Sequence, residues 1–197
     1  MQMGKEGHDS ITALAKPVST EMAIKDAVAK REKPVCIYEF GVAWKYKDTP
    51  IIGFIDEAWF RGGDVDLVVE RKFSDSLRVY SGYHIQAQLY CLGLGEMGFN
   101  NSSAEYKIMV FKRKCYECPK LAENVCPILV PELEVDSYQC ENGRVHGYLY
   151  PFNRGKIIKD LDWALDFWTK KRETIPTKNA VKCRSCRHKE ICESSLV

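Results

Sequence analysis

Gly62-Gly63 separates two runs, Thr49 to Phe60 and Asp64 to Phe73, that are rich in Ile, Val, Phe and Trp. A glycine pair between two such runs is a strong short-range signal for a β-hairpin. The two runs are therefore expected to pair antiparallel, which sets the charged residues of one against those of the other. Folding the chain back at the glycines puts Asp56 opposite Val69 or Glu70, according to whether the connection has an even or an odd number of residues. Only the odd register, or one bulge, points both carboxylates to the same face. Within the second run the two-residue period puts Glu70 and Lys72 on one side and Arg71 on the other.

The next segment reads as a helix, because Tyr83, Ile85, Leu89 and Leu92 recur at near-helical spacing until Gly93 and Gly95 weaken it. Four residues make about one turn, so Gln86 and Tyr90 share a face. Two carboxylates and a lysine on adjoining strands are the minimum equipment for holding a divalent metal beside a phosphate and activating water. An amide and a phenol nearby could orient that phosphate, and the Lys72 ammonium could stabilise charge developing on phosphorus. The constellation Asp56, Glu70, Lys72, Gln86 and Tyr90 thus points to a metal-dependent phosphodiesterase centre. His84, Asp64 and Asp66 are read as structural.

Elsewhere, Thr20 to Arg31 is expected to form a charged helix after Pro17, and Val35 to Tyr46 the first strand of a meander. Tyr106 to Phe111 returns as a strand, within Glu105 to Lys112, and Val145 to Tyr150 adds another. Asn153 is expected to cap a helix running through Arg172, with Ile157, Ile158, Leu161, Leu165 and Trp168 on its buried side. Trp163, Phe167 and Trp168 are read as core aromatics. The result is an α/β (α+β) chain with a mixed sheet flanked by helices.

With 197 residues, 45% of them apolar, the chain can bury one good core, and a single domain over 1–197 is expected. No run of eighteen apolar residues marks a membrane span, and the polar segment Met1 to Ser10 does not read as a signal peptide, so the expected compartment is the cytoplasm. Nine cysteines in such a compartment call for an explanation other than disulfides. Six lie in two groups built on Cys-x-x-Cys, namely Cys115, Cys118 and Cys126, and Cys183, Cys186 and Cys192, which favours metal. All-thiolate sites suit zinc and iron–sulfur clusters alike. Cys115, Cys118 and Cys126 could form a second metal knot with Cys140, zinc being one candidate, while Cys91 reads as a small buried hydrophobe. Net charge is only +2, so nucleic-acid affinity would come from local basic clusters: Lys112-Arg113-Lys114, Lys170-Lys171-Arg172 and Lys182 through Lys189.

In order and spacing these motifs resemble the RecB-like branch of the PD-(D/E)xK nuclease superfamily, and within it the iron–sulfur nucleases typified by the CRISPR-associated Cas-four family. Gly53-Phe54-Ile55-Asp56 matches the family's Gly-x-x-Asp motif, Glu70-Arg71-Lys72 its Glu-x-Lys, and Gln86-Ala87-Gln88-Leu89-Tyr90 its Gln-x-x-x-Tyr. Gly4-Lys5-Glu6-Gly7-His8 is similar to the first motif, whose histidine is a metal ligand, and Cys183-x-x-Cys186-x5-Cys192 to the three carboxy-terminal cluster cysteines. The resemblance spans nearly the whole chain and implies a restriction-endonuclease-like core, a cysteine-containing insertion over 113–144 and a cluster-binding segment over 177–197. The family's fourth cluster cysteine precedes the first-motif histidine, and no cysteine stands before His8 here. The fourth ligand is then either upstream of Met1 or another cysteine, with Cys36, the Cys115 group and Cys140 as candidates.

The resemblance further implies magnesium or manganese held by Asp56, Glu70 and His8, a structural 4Fe–4S cluster, and exonuclease trimming of single-stranded DNA. The setting would be CRISPR adaptation, with adaptation proteins as partners, or DNA repair, or a virus. A competing expectation is a catalytically inactive, cysteine-knotted adaptor that binds nucleic acid within a larger complex. A third is a zinc enzyme unrelated to nucleic acid.

Overall fold

The computed structural model describes residues 33–112, 115, 117–122, 137–139 and 145–197. The helix expected over Thr20 to Arg31, His8, Cys126, Cys140 and most of the 113–144 insertion lie outside the described residues. The chain falls into two compact units, one through Ile157 and one from Ile158 onward.

The first unit is a mixed α+β layer. Strands β1 (Val35–Tyr46), β2 (Thr49–Arg61) and β3 (Asp64–Ser74) form the expected antiparallel meander. Helix α1 (Ser81–Glu96) then carries the chain over to β4 (Glu105–Lys112), which pairs parallel with β3. A parallel neighbour needs such a crossover, whereas antiparallel ones need only a turn. After the short α2 (Pro119–Ala122), strands β5 (Ser137–Gln139) and β6 (Val145–Pro151) complete a six-stranded sheet in the order β1-β2-β3-β4-β6-β5.

The larger core lies between α1 and the sheet and includes Phe40, Trp44, Ile55, Phe60, Tyr90 and Leu94. A smaller cluster on Leu67, Val69, Met109 and Phe111, which also takes in Cys115 and Cys118, forms apart from it. Along β3 the alternation is regular where it matters: Leu67 and Val69 belong to the smaller cluster and Val68 to the larger.

Two features of α1 depart from the sequence reading. Ile85 is 38% exposed, while Ala87, Gln88, Cys91 and Gly93 are buried. Nor do the glycines loosen the helix. A Cβ on Gly93 would stand 2.6 Å from Trp44 Cζ3, and one on Gly95 2.3 Å from Asn101 Nδ2, so both serve close packing. Cys91 is fully buried, as expected.

Helix α3 (Arg154–Trp168) starts as expected, with Asn153 Oδ1 accepting from the Lys156 N–H at 2.9 Å. It stops four residues short of Arg172. Lys170 takes a φ of 59°, its N–H bonds the Phe167 carbonyl at 3.1 Å, and the Lys171 N–H bonds the Asp166 carbonyl at 2.8 Å. This is a Schellman end built on a lysine rather than the usual glycine. Within the second unit Trp163 and Trp168 are 54% and 77% exposed and are not core residues. The Arg172 guanidinium instead covers the Trp163 ring at 3.7 Å. Helix α4 (Ala180–Arg184), capped by Asn179, leads into a 3-10 turn at Lys189–Ile191. No described helix is long and apolar enough to cross a membrane.

Candidate active site

The β2–β3 hairpin decides whether Asp56 and Glu70 can cooperate. Gly62 and Gly63 take φ values of 60° and 89° and form a two-residue connection in which Arg61 faces Asp64. Continued without interruption, that register would set Asp56 opposite Val69. A bulge beside Trp59 and Phe60 adds one residue to β3, so Trp59 faces Leu67 and Glu57 faces Val69. The next facing positions are Asp56 and Glu70. Asp56 Oδ2 accepts the Arg71 backbone N–H at 2.6 Å, so the carboxylate reaches across to β3. An even connection corrected by one bulge therefore produces the cooperative register.

From Glu70 a chain of polar contacts runs onto α1. Glu70, 1% exposed, forms an ion pair with Lys72. Lys72 Nζ donates to Gln86 Oε1 at 2.9 Å, and Gln86 Nε2 donates to the Tyr90 hydroxyl at 2.8 Å. Burial pushes the Tyr90 phenol up to about 12, with the charges of Glu70 and Asp56 adding to the rise against the hydrogen bond from Gln86. Tyr90 thus stays protonated near neutrality. All five residues singled out by spacing are brought into one neighbourhood, and Arg71 points to the opposite side as expected.

Gly53 is part of the same construction. A Cβ there would lie 2.6 Å from Tyr90 Cε1, so the glycine lets the phenol lie against β2. Other participants escaped the sequence reading. The Lys72 ammonium sits 5.4 Å from the Tyr83 ring centroid. Glu39 shares with Phe54, Ile55 and Asp56 the lining of an open cavity of about 240 Å³. Pairing joins Tyr38 to Glu57 and Phe40 to Ile55 but skips Glu39 and Asp56, which occupy facing positions. Glu39 has a φ of 50°, and this break in the alternation, with the register unchanged on either side, lets Ile37 and Phe40, three residues apart, both enter the core. The signal was present in that three-residue spacing.

On the other side of β3, Arg71 and Glu57 form a buried ion pair, 5% and 0% exposed. Trp59 Nε1 donates to Glu57 Oε2 at 3.1 Å, and the guanidinium lies 5.8 Å from the Phe111 ring centroid. Burial raises the Cys36 thiol to about 12 against a hydrogen bond with Tyr38 and the charge of Arg71. The residues read as structural have local roles: Asp66 at the bulge pairs with Arg61 at 3.1 Å, and His84 Nδ1 lies 3.0 Å from the Tyr106 hydroxyl.

Two hard carboxylates fit magnesium or manganese, which commonly take one or two protein carboxylates and complete their shell with water and substrate phosphate. Among the described residues no three His, Cys, Asp or Glu side chains gather as a metal-holding group. The Cys186 N–H bonds the Cys183 carbonyl at 3.0 Å, and the Cys118 N–H bonds the Cys115 carbonyl at the same distance, so both Cys-x-x-Cys motifs form the same tight turn. Cys183 is buried, whereas Cys186 and Cys192 are exposed. The triad is not drawn together as a cluster cradle here.

No family model matches the chain. Over 58 residues it is 38% identical to a protein described as Exonuclease V from Danio rerio, a stretch covering 28% of this chain. The match spans 15% of that relative's length. At this coarse level the chain is similar to a nuclease.

Proposed function

We propose that this chain is a metal-dependent deoxyribonuclease with a PD-(D/E)xK-type core, cutting phosphodiesters of single-stranded DNA. The observation that carries the reading is the facing pair Asp56 and Glu70, joined through Lys72 and Gln86 to Tyr90. The partial similarity to an exonuclease supports the same reading.

Asp56 and Glu70, with His8 as a further candidate, would hold magnesium or manganese. When bound, the metal supplies Lewis-acid activation of water and charge neutralisation at the phosphate. Glu70 keeps the Lys72 ammonium at the site, and Gln86 orients it by accepting from Nζ. Lys72 then offers a fixed positive charge to the oxygen that becomes negative at phosphorus. Tyr90, a neutral phenol, holds the Gln86 amide so that its oxygen faces the lysine. For iron–sulfur ligation by Cys183, Cys186 and Cys192 the support is the motif resemblance, and no step depends on it. Roles in CRISPR adaptation or repair rest on that resemblance as well.

The test is cleavage of end-labelled single-stranded DNA by purified protein with magnesium or manganese. The expected result is cleavage abolished by chelator, by Asp56→Ala and by Glu70→Ala, with Lys72→Ala lowering the rate at least 100-fold, about the effect of removing one transition-state donor. DNA left intact by the wild type would instead favour the adaptor, and cleavage unchanged in Glu70→Ala would remove this site from the reaction.

A further inference from the structure

Past Asp56 the outer face of the β1–β2 hairpin carries two large apolar side chains with no cover among the described residues. Phe54 is 67% exposed and Ile52 73% exposed, on a regular strand rather than a loop. Gly53 between them abuts Tyr90, so alternation turns Phe54 and Ile52 to the side away from α1. Their cross-strand partners are small: Gly41 faces Phe54 and Ala43 faces Ile52. A Cβ on Gly41 would be 3.5 Å from Phe54 Cε1, so the ring leans over the glycine and is supported by backbone. The same ring lines the cavity shared with Asp56.

We infer that Phe54 is a stacking seat for one unpaired nucleobase of the strand whose phosphodiester lies at Asp56 and Glu70. The inference deepens the nuclease reading and rests on it. Phe54 and Asp56 line one cavity, and two residues of strand span about 7 Å, so the ring stands within roughly one nucleotide's reach of the Asp56 carboxylate. An aromatic face accepts any base, but only one that is out of a duplex stack. A protein partner fits less well. A stable interface takes roughly 800 Å² from each side, far more than two side chains offer. The Glu39 carboxylate at one end of the patch also disfavours phosphate directly over the ring, which leaves the base as the group that meets it.

The test compares binding of labelled oligothymidylate with binding of an abasic oligomer of equal length, in the full chain and without cleavage-supporting metal. The wild type should prefer the base-bearing strand by about 5- to 150-fold for one stacked base. Phe54→Ala and Phe54→Leu should abolish that preference while leaving affinity for the abasic strand unchanged, and Phe54→Trp should keep it. A preference that survives Phe54→Ala, or its absence in the wild type, overturns the inference even if magnesium-dependent cleavage is intact. Base preference lost in Phe54→Ala in a protein that never cuts DNA upholds the seat and overturns the nuclease reading. A dimer that dissociates on Phe54→Ala, with no change in base preference, identifies the patch as a contact between copies and overturns the seat.

Discussion

Gly53→Ala tests the geometry of the site from a position with no chemistry of its own. The added Cβ would meet Tyr90 Cε1 at 2.6 Å, whereas ordinary contact begins at 3.4 Å, so the ring must withdraw by about 0.8 Å. A displacement of that size along the Gln86–Tyr90 bond would lengthen it from 2.8 Å to about 3.6 Å, beyond hydrogen-bonding range. Gln86 would lose the contact that fixes its amide, and Lys72 the acceptor that orients it. Overpacking of this kind costs about 1–3 kcal/mol, offset by about 0.4–1 kcal/mol from the lower chain entropy of alanine when unfolded. The net expected loss is about 0.5–2 kcal/mol in a urea titration. The cleavage rate should fall further, about 100-fold, because a displacement of that order in a positioning group is enough. The control is the same substitution in a Tyr90→Leu background, where no ring stands in the way. There Gly53→Ala should cost no stability, which makes the coupling between the two positions the measured quantity. An equal cost in both backgrounds would refute the steric link between Gly53 and Tyr90.

The buried pair on the other side of β3 should behave as a unit. Glu57→Gln or Arg71→Met alone should destabilise by about 3–5 kcal/mol in denaturant titration, while Glu57→Leu with Arg71→Met recovers most of it. High pH should unfold the protein progressively. Burial holds the Tyr38, Tyr90 and Tyr106 phenols up at about 12 against an ordinary 10.0, so stability present below pH 10 is lost as pH rises toward 12. Melting temperatures across that window should fall less steeply in Tyr90→Phe than in the wild type. At the acid end, burial and then the Lys156 charge lower the pKa of His84 below 6.5, so its contribution is present above 6.5 and lost as pH falls. A His84→Asn variant should show a flatter melting profile on going from pH 7 to 5.

What could be read from residues alone follows from how local the determining forces are. The meander, the helix bearing Gln86 and Tyr90 and the separation of Glu70 and Lys72 from Arg71 all depend on short-range periodicity and on one glycine turn, and the structure shows each of them. The facing of Asp56 and Glu70 depended on a bulge, which spacing offered only as an alternative because an extra residue at Asp66 is decided by core packing on both sheet faces. Glu39 stayed hidden for a similar reason. Its left-handed backbone is imposed by the demand that Ile37 and Phe40 both be buried, and a glutamate carries no mark of it. The α3 terminus carries no sequence signal because Lys170 fills the left-handed place where a glycine would mark the end. Ile85 and Trp168 are exposed although apolar, because apolar character alone does not fix which face of a helix is covered: the buried residues of α1 are Ala87, Gln88, Tyr90, Cys91, Leu92, Gly93 and Leu94. Phe54 is likewise exposed although apolar, on a regular strand. There an exposed aromatic lines the cavity it shares with Glu39 and Asp56, and the proposed stacked base would cover a ring that the described fold leaves open.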